Sequence, residues 1–479
     1  VSTGPTIVAG SEPTLRIAQW VASLPRERTR AVQALAIDGV RDLIGCMIAG
    51  SVEPPARAAA RVAATWGGGV SSLVGSSQTV SAQASAFANG AAAHVLDFDD
   101  SFAPLTGHPS APILPAVLAL GEEVAASGAA LLDAYVVGLE VIATVGRVMN
   151  PSHYARGWHS TATIGVIGAA AACARLLGLN ANQTAAAMSI AMSSSGGSRV
   201  QLGSPMKSIH AGLAARDAVV SASLAAEGVT GASEVLVGLR GFQNLYSGAD
   251  AGPEAFVVPG ADEPLAISSP GLTFKPYPIC GSTHRSIDAL LDLREMHQFS
   301  ADDVASVTLN IPAVNANNLI YPNPTSGMEA KFSMHYCAAL AIAQGAIRLG
   351  DFTEEAIHRP AIRALMTRIV MQVTPGSEQT TKDYLELPAH TVVRLQSGVM
   401  LNDERYGRRG SRELPMSASE HAAKFEDCAG RLLEPDETER LLDLISKLGA
   451  AKDIHDLAGL LRRQSPAPTQ AEAGRHAAV

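Results

Sequence analysis

Residues 164–179 read IGVIGAAAACARLLGL. The run is apolar without alternation, too long for one buried strand, and built from Gly and Ala, which predicts a helix approached closely by its neighbours. QTAAAMSIAMSSSGG (183–197) and HAGLAARDAVVSASLAAEGVTG (210–231) share that composition. Together the three are expected to form the buried centre of a helical domain, where small side chains let backbones approach. Outward from this centre, from about Glu12 to about Gly260, helix-period segments such as AVQALAIDGVRDLIGCMIAG are broken by Gly, Ser and Pro, and strand patterns are nearly absent.

Composition shifts near Ile267. SSPGLTFKPYPICGSTH brings prolines and aromatics, and VASVTLNIPAV then alternates apolar and polar residues as a half-buried strand does. TRIVMQVTP and HTVVRLQSGVMLN continue the β pattern, the latter with a Ser-Gly turn between two β-rich runs, while SIDALLDLREMHQ and KFSMHYCAALAIAQGAI supply helices. After RRGSRE, helical periodicity returns in EHAAKFEDCAGRLL and ETERLLDLISKLG. A chain of 479 residues is too long for one core. The expected fold class is mainly α: a large all-helical domain from residues 12–266 and 411–462, a smaller α+β lid domain from 267–410, and a disordered tail from 463–479 rich in Pro, Ala and polar residues.

A net charge of −9 with no basic, aromatic-interleaved tract argues against nucleic acid and against an anionic membrane surface, leaving a small-molecule ligand as the expected partner. No uninterrupted apolar run reaches membrane-spanning length, and the first residues lack a basic start followed by an apolar core. Cys46, Cys173, Cys280, Cys337 and Cys428 form no CxxC pair, so no zinc ribbon or iron–sulfur loop is written locally, and a reducing cytoplasm is the expected compartment.

Ionisable chemistry concentrates in HVLDFDDSFAPLTGHPSAPILP (94–115). Asp97, Asp99 and Asp100 admit three readings. They could be solvated or capping carboxylates, a Mg²⁺ cluster of a helical diphosphate enzyme, or a proton-handling group working with His108, which sits between Gly107 and Pro109. In RGWHSTATIGVIG, Ser160 or Thr161 is the expected N-cap of the apolar helix, with His159 just outside its positive end and therefore held neutral. MKSIHAGLAARDAVV puts Lys207 and His210 on one helix face beside small residues, as a carboxylate anchor requires. In KPYPICGSTHRSIDALLDL, Ser282 or Thr283 caps a helix and leaves Cys280 and His284 near its start.

These segments, with AAAHVLDFDDSF, GHPSAPILPAVLALGE, GWHSTATIGVIGAAAACARLLGL and EAKFSMHYCAALAIAQG, occur in an order and spacing that resembles the MmgE/PrpD family over nearly the whole chain. That family includes 2-methylcitrate dehydratases, cis-aconitate decarboxylases and iminodisuccinate epimerase. The resemblance implies a helical domain with an α+β lid, usually as a homodimer, and chemistry without metal or cofactor. It further implies Asp97, His108, His159, Lys207 and His284 as working groups, with Ser101 where the family has Thr, Cys280 as the other candidate for the lid-side position, and Tyr321 of NLIYPNP as a lid tyrosine. The expected activity is that of a metal-independent lyase of 2-methylcitrate dehydratase type, moving a proton next to a carboxylate of a small di- or tricarboxylate. An iminodisuccinate-type epimerase and a cis-aconitate decarboxylase are the alternatives within the family, and the Mg²⁺-dependent diphosphate enzyme the alternative outside it.

Overall fold

The computed structural model describes residues 12–248, 251–377 and 387–462. Among the described residues two large apolar cores form, with two smaller clusters beside them around Phe98 and around Phe87. The larger joins the helices Arg30–Ser51, Ala82–His94, Ser110–Glu123, Gly128–Met149, Gly165–Leu176 and Met206–Ala226. Phe425, Ala429 and Leu441, from the C-terminal helices Ala418–Ala429 and Pro435–Ser446, belong to the same core. The smaller core lies between Tyr277 and Leu401.

Small residues decide how the first core is assembled. A Cβ on Gly90 would sit 2.9 Å from the Cα of Gly212, and one on Gly212 would sit 2.3 Å from the Phe87 carbonyl oxygen. Ala82–His94 and Met206–Ala226 therefore touch backbone to backbone, and any larger residue at either position would push them apart. That contact has a consequence for the site. The end of the first helix, His94, meets the start of the second, where Lys207 lies, so the two helices run antiparallel.

The second domain carries a four-stranded sheet in the order Ile369–Val373, Val304–Ile311, Ala389–Leu395, Met400–Arg405. The first pair is parallel, with Val307 opposite Ile369, and the other two are antiparallel, with Val307 opposite Val393 and Val393 opposite Leu401. Val307, Leu309 and Ile311 face inward, the alternation that VASVTLNIPAV predicts. Gly398, at φ +87°, makes the turn of the last hairpin, where QSG was expected to do so. Helices His284–His297 and Met334–Gln344 pack on the sheet. In the helical half, strand structure among the described residues amounts to a two-residue ladder, Ser71–Ser72 with Thr79–Val80.

Gly128–Met149 is the one described helix long and apolar enough to cross a membrane, and 89% of its most apolar window is buried inside the protein. Asp133, Glu140 and Arg147 interrupt it. The tail expected from 463–479 lies outside the described residues.

Candidate active site

The helix Ala82–His94 ends at His94, and the chain turns through Asp97 at φ +53°, a left-handed conformation that Asp tolerates better than most residues. Beyond a helix end, backbone carbonyls need outside donors. Here three buried lysines from distant segments supply them. Lys331 Nζ donates to the Leu96 carbonyl (2.5 Å), Lys275 Nζ to that of Asp97 (2.7 Å) and Lys424 Nζ to that of Phe98 (2.8 Å). Lys331 belongs to the sheet-bearing half and Lys424 to the C-terminal helices. The turn is thus fixed where the two halves meet.

The three carboxylates then diverge. Asp97 Oδ1 accepts from Lys207 Nζ at 2.6 Å, lies 3.2 Å from Lys275 Nζ, and is 3.6 Å from His108 Nε2. Burial pushes its carboxyl pKa up, but Lys207, Lys275 and the histidines more than reverse this and hold it well below the usual carboxylate range. Asp99 Oδ2 is 2.8 Å from His94 Nδ1 and 3.3 Å from His108 Nδ1. Burial again works upward, and the two imidazoles bring Asp99 far below its ordinary value. Asp100 has no such partner. Its Oδ2 accepts from Ser110 Oγ (2.5 Å), which also meets the Tyr135 hydroxyl (2.6 Å), and burial followed by Asp42 pushes its carboxyl well up, toward the protonated form.

A row of imidazoles borders Asp97 and Asp99. His94 lies edge-on to His108 with ring centroids 4.6 Å apart, and stacks on His159 at 5.6 Å. His159 Nδ1 is 3.2 Å from His210 Nδ1, so only one of the two can hold the proton between them. Burial lowers all four: His94 to about 4, His108 and His210 below the ordinary value, and His159 far below it, with His94 and Lys207 adding to the effect on His159. The row is neutral at pH 7.

His159 stands in a different place from the one its sequence suggests. It occupies the N-cap position itself, with no side-chain cap bond, and the helix it starts, Ser160–Thr163, is separated from Gly165–Leu176 at Ile164. Thr161 caps nothing. Its Oγ1 accepts the backbone N–H of His108 at 3.0 Å, tying the two histidine-bearing segments together. The neutrality expected of His159 is present, but burial is its first cause. Thr283 likewise turns its hydroxyl to the Cys280 carbonyl (2.8 Å) and leaves His284–His297 without a side-chain cap.

Asp97, His108, His159 and Lys207 thus come together. Of these, His108 lines a cleft, with Ser101, Lys275, Cys280, Asn315, Asn318 and Arg408 among others, while Asp97, His159 and Lys207 are buried and lie outside its lining. Ser101 Oγ accepts from Arg408 at 2.9 Å. Cys280 is in the lining, with its thiol pKa raised by burial. His284 is not; its Nε2 sits 3.3 Å from the Ile279 carbonyl, its ring lies edge-on to Tyr277, and burial, then Lys275, lowers it well below the ordinary value. Tyr321 stands apart, donating its hydroxyl to the Leu202 carbonyl (3.1 Å) five residues before Lys207. His94, Lys275 and Arg408 are groups of this site that sequence reasoning did not single out, and Asp99 it named only as one of three candidate carboxylates.

His94, Asp97, Asp99 and His108 offer ligand atoms within 4.8 Å of one another, a spacing a divalent ion could span. In this chain the Asp97 oxygen such an ion would need already faces two ammonium groups, and a cation would have to displace them. The donor set fits an anion-binding site better than a metal site.

Residues 15–254 match the MmgE/PrpD N-terminal domain and residues 277–449 the MmgE/PrpD C-terminal domain. The chain is 31% identical over 395 residues to the human cis-aconitate decarboxylase, covering 80% of this chain and 79% of that protein. It is 30% identical to the mouse cis-aconitate decarboxylase, with 79% and 78% covered, and 26% identical over 477 residues to a cis-aconitate decarboxylase-like protein of Aspergillus oryzae, with 94% and 97% covered. Both domain matches, in order and over most of its length, make this chain a member of the MmgE/PrpD family of enzymes.

Proposed function

We propose that the protein is a metal-independent lyase that decarboxylates a small unsaturated tricarboxylate of the cis-aconitate kind. The observation that carries this reading is the convergence of buried Lys207 and Lys275 on one oxygen of Asp97, beside neutral imidazoles, at a cleft that Lys275 and His108 line. Relatives named cis-aconitate decarboxylase support it.

In a β,γ-unsaturated acid, the bond to the departing carboxylate breaks and its electron pair becomes a new double bond. The old π pair moves to the γ carbon, which takes a proton as CO₂ leaves. In cis-aconitate that γ carbon is next to a second carboxylate, so negative charge accumulates where ammonium groups in a low-dielectric site stabilise it most. Lys207 and Lys275 supply that field. Asp97 holds them in place and keeps the pocket from carrying two bare cations before substrate arrives. His108, which lines the cleft, is the proton donor in this reading. Burial keeps it neutral in the free protein, and an arriving polyanion makes its protonated form easier to reach.

Dehydration of 2-methylcitrate and epimerisation of iminodisuccinate also need a proton moved next to a carboxylate. Proton NMR in D₂O, with cis-aconitate, 2-methylcitrate and iminodisuccinate in separate tubes, distinguishes the three. The expected result is CO₂ loss from cis-aconitate with one deuterium entering the new methylene. Water loss from methylcitrate alone, or deuterium wash-in to iminodisuccinate alone, would replace this reading with the corresponding one.

A further inference from the structure

Arg408 follows the last strand and lies between two arginines whose charges are matched. Arg405 reaches Asp292 at 2.6 Å and Asp403 at 2.9 Å; Arg409 reaches Glu420 at 3.3 Å and Asp292 at 3.6 Å. Arg408 turns the other way, into the cleft, and is 8% exposed. Among the described residues it has no carboxylate partner, and its one hydrogen bond is to a neutral oxygen, Ser101 Oγ. A guanidinium has five N–H donors in a planar fork. Its remaining N–H groups are not sealed in the protein but open on the cleft, where an anion can complete the fork.

The neighbouring acceptors are already engaged. Asn315 Oδ1 accepts from Arg285 (3.0 Å), and Asn318 Oδ1 from Tyr154 (3.1 Å) and Arg199 (2.5 Å). Ser282 Oγ accepts from the side-chain amides of both asparagines, at 3.3 and 3.0 Å. This wall of the cleft therefore has donors to spare at Arg408 and few acceptors to offer it. Lys275 and His108 line the same cleft.

We infer that Arg408, oriented by Ser101, is a specificity-determining residue that receives a second carboxylate of the substrate through paired N–H···O bonds, while Lys207 and Lys275 attend to the reacting end. A bidentate guanidinium–carboxylate contact selects for the number and placement of carboxylates rather than for charge alone. Such a residue disfavours a ligand lacking that group, which displaces water from the fork without replacing its hydrogen bonds. The inference rests on the polycarboxylate reading above.

Stable analogues test it without turnover. Ligand-detected NMR, which reads millimolar affinities, would compare tricarballylate, glutarate and butyrate, carrying three, two and one carboxylates, on wild type and Arg408→Gln. The expected result is at least a tenfold loss for tricarballylate in the variant and less than a twofold change for butyrate. An unchanged tricarballylate affinity, or an equal loss for all three ligands, overturns the role of Arg408 and leaves the polycarboxylate reading standing. Wild type binding tricarballylate no better than butyrate would overturn both. Should Arg408→Gln lose its cooperative melting transition, Arg408→Lys keeps the charge without the fork. A three- to tenfold loss for tricarballylate alone is then expected, and no loss overturns the inference.

Discussion

Asp97 and Asp99 face Lys207, Lys275, His94 and His108 on the cleft side of their turn, whereas Asp100, one residue on, points back at Ser110 and Tyr135. All three are buried aspartates. On the cleft side Lys207 and Lys275 at Asp97, and the two imidazoles at Asp99, overcome the desolvation that burial imposes, and the carboxylates stay ionised; on the core side the Ser110 hydrogen bond and Lys424 do not offset burial and Asp42, and the acid is driven toward its neutral form. Role is set by what each side chain meets, and the turn that separates the two sides is held by three lysines on three consecutive carbonyls.

If the two sides differ as described, substitutions should separate them. The largest effect belongs to Lys207→Ala and His159→Ala. Loss of one preorganised donor in a dry site costs roughly 10²–10³ in kcat, and both variants are expected to fall at least that far while keeping a cooperative melt. A variant with wild-type kinetics removes its residue from the mechanism. Asp99→Asn comes next. It leaves the cations alone but takes away the carboxylate that orients His94 and His108, so a drop of about 10²-fold is expected, in line with the loss of a positioned acid–base group. Asp99 raises both histidines, so its removal should also move the alkaline limb of the rate profile, where the donor His108 loses its proton, to lower pH. An unmoved limb would mean that those histidines do not set it.

The buried imidazoles predict a stability effect whose sign can be worked out. Their folded-state pKa values lie below the unfolded value of about 6.5, so the unfolded chain binds more protons between that pH and roughly 4, where His94 begins to charge in place. Stability is therefore complete above pH 6.5 and declines as the pH falls through this window, which melting temperature against pH measures directly. A flat profile from 6.5 to 4 would contradict neutral histidines. Asp100→Asn should have the smallest effect: a neutral isostere replaces an acid already held neutral, so kcat should change less than twofold and stability by about 1 kcal/mol or less. A large loss of activity would place Asp100 with its cleft-side neighbours.

The fold was legible because its signals are periodic. IGVIGAAAACARLLGL, VASVTLNIPAV and the QSG turn each dictate their element from within a few residues, and the structure follows them. The site was legible in part. Lys207, His108 and His159 are recognisable from their local surroundings, a lysine among small buried residues and histidines beside Gly, Pro or a helix start. Lys275 and Lys331 read locally as ordinary lysines of KPYP and EAKF, because the carbonyls they serve are over 170 residues away. Arg408 sits in RRG, where nothing distinguishes it from Arg409; only the folded chain turns one toward acids and the other into the cleft. His94 falls in an alanine-rich helix end, and its pairing with Asp99 could be inferred from spacing, five residues apart across a helix terminus, only once the turn between them was known.

The most direct test is ¹³CO₂ release from carboxyl-labelled cis-aconitate, followed in EDTA for wild type, Lys207→Ala and Asp97→Asn. Steady release by wild type, undiminished by the chelator and lost in both variants, is the predicted result. No release by wild type, or release that stops in EDTA and returns with Mg²⁺, would contradict a lyase that works through paired lysines.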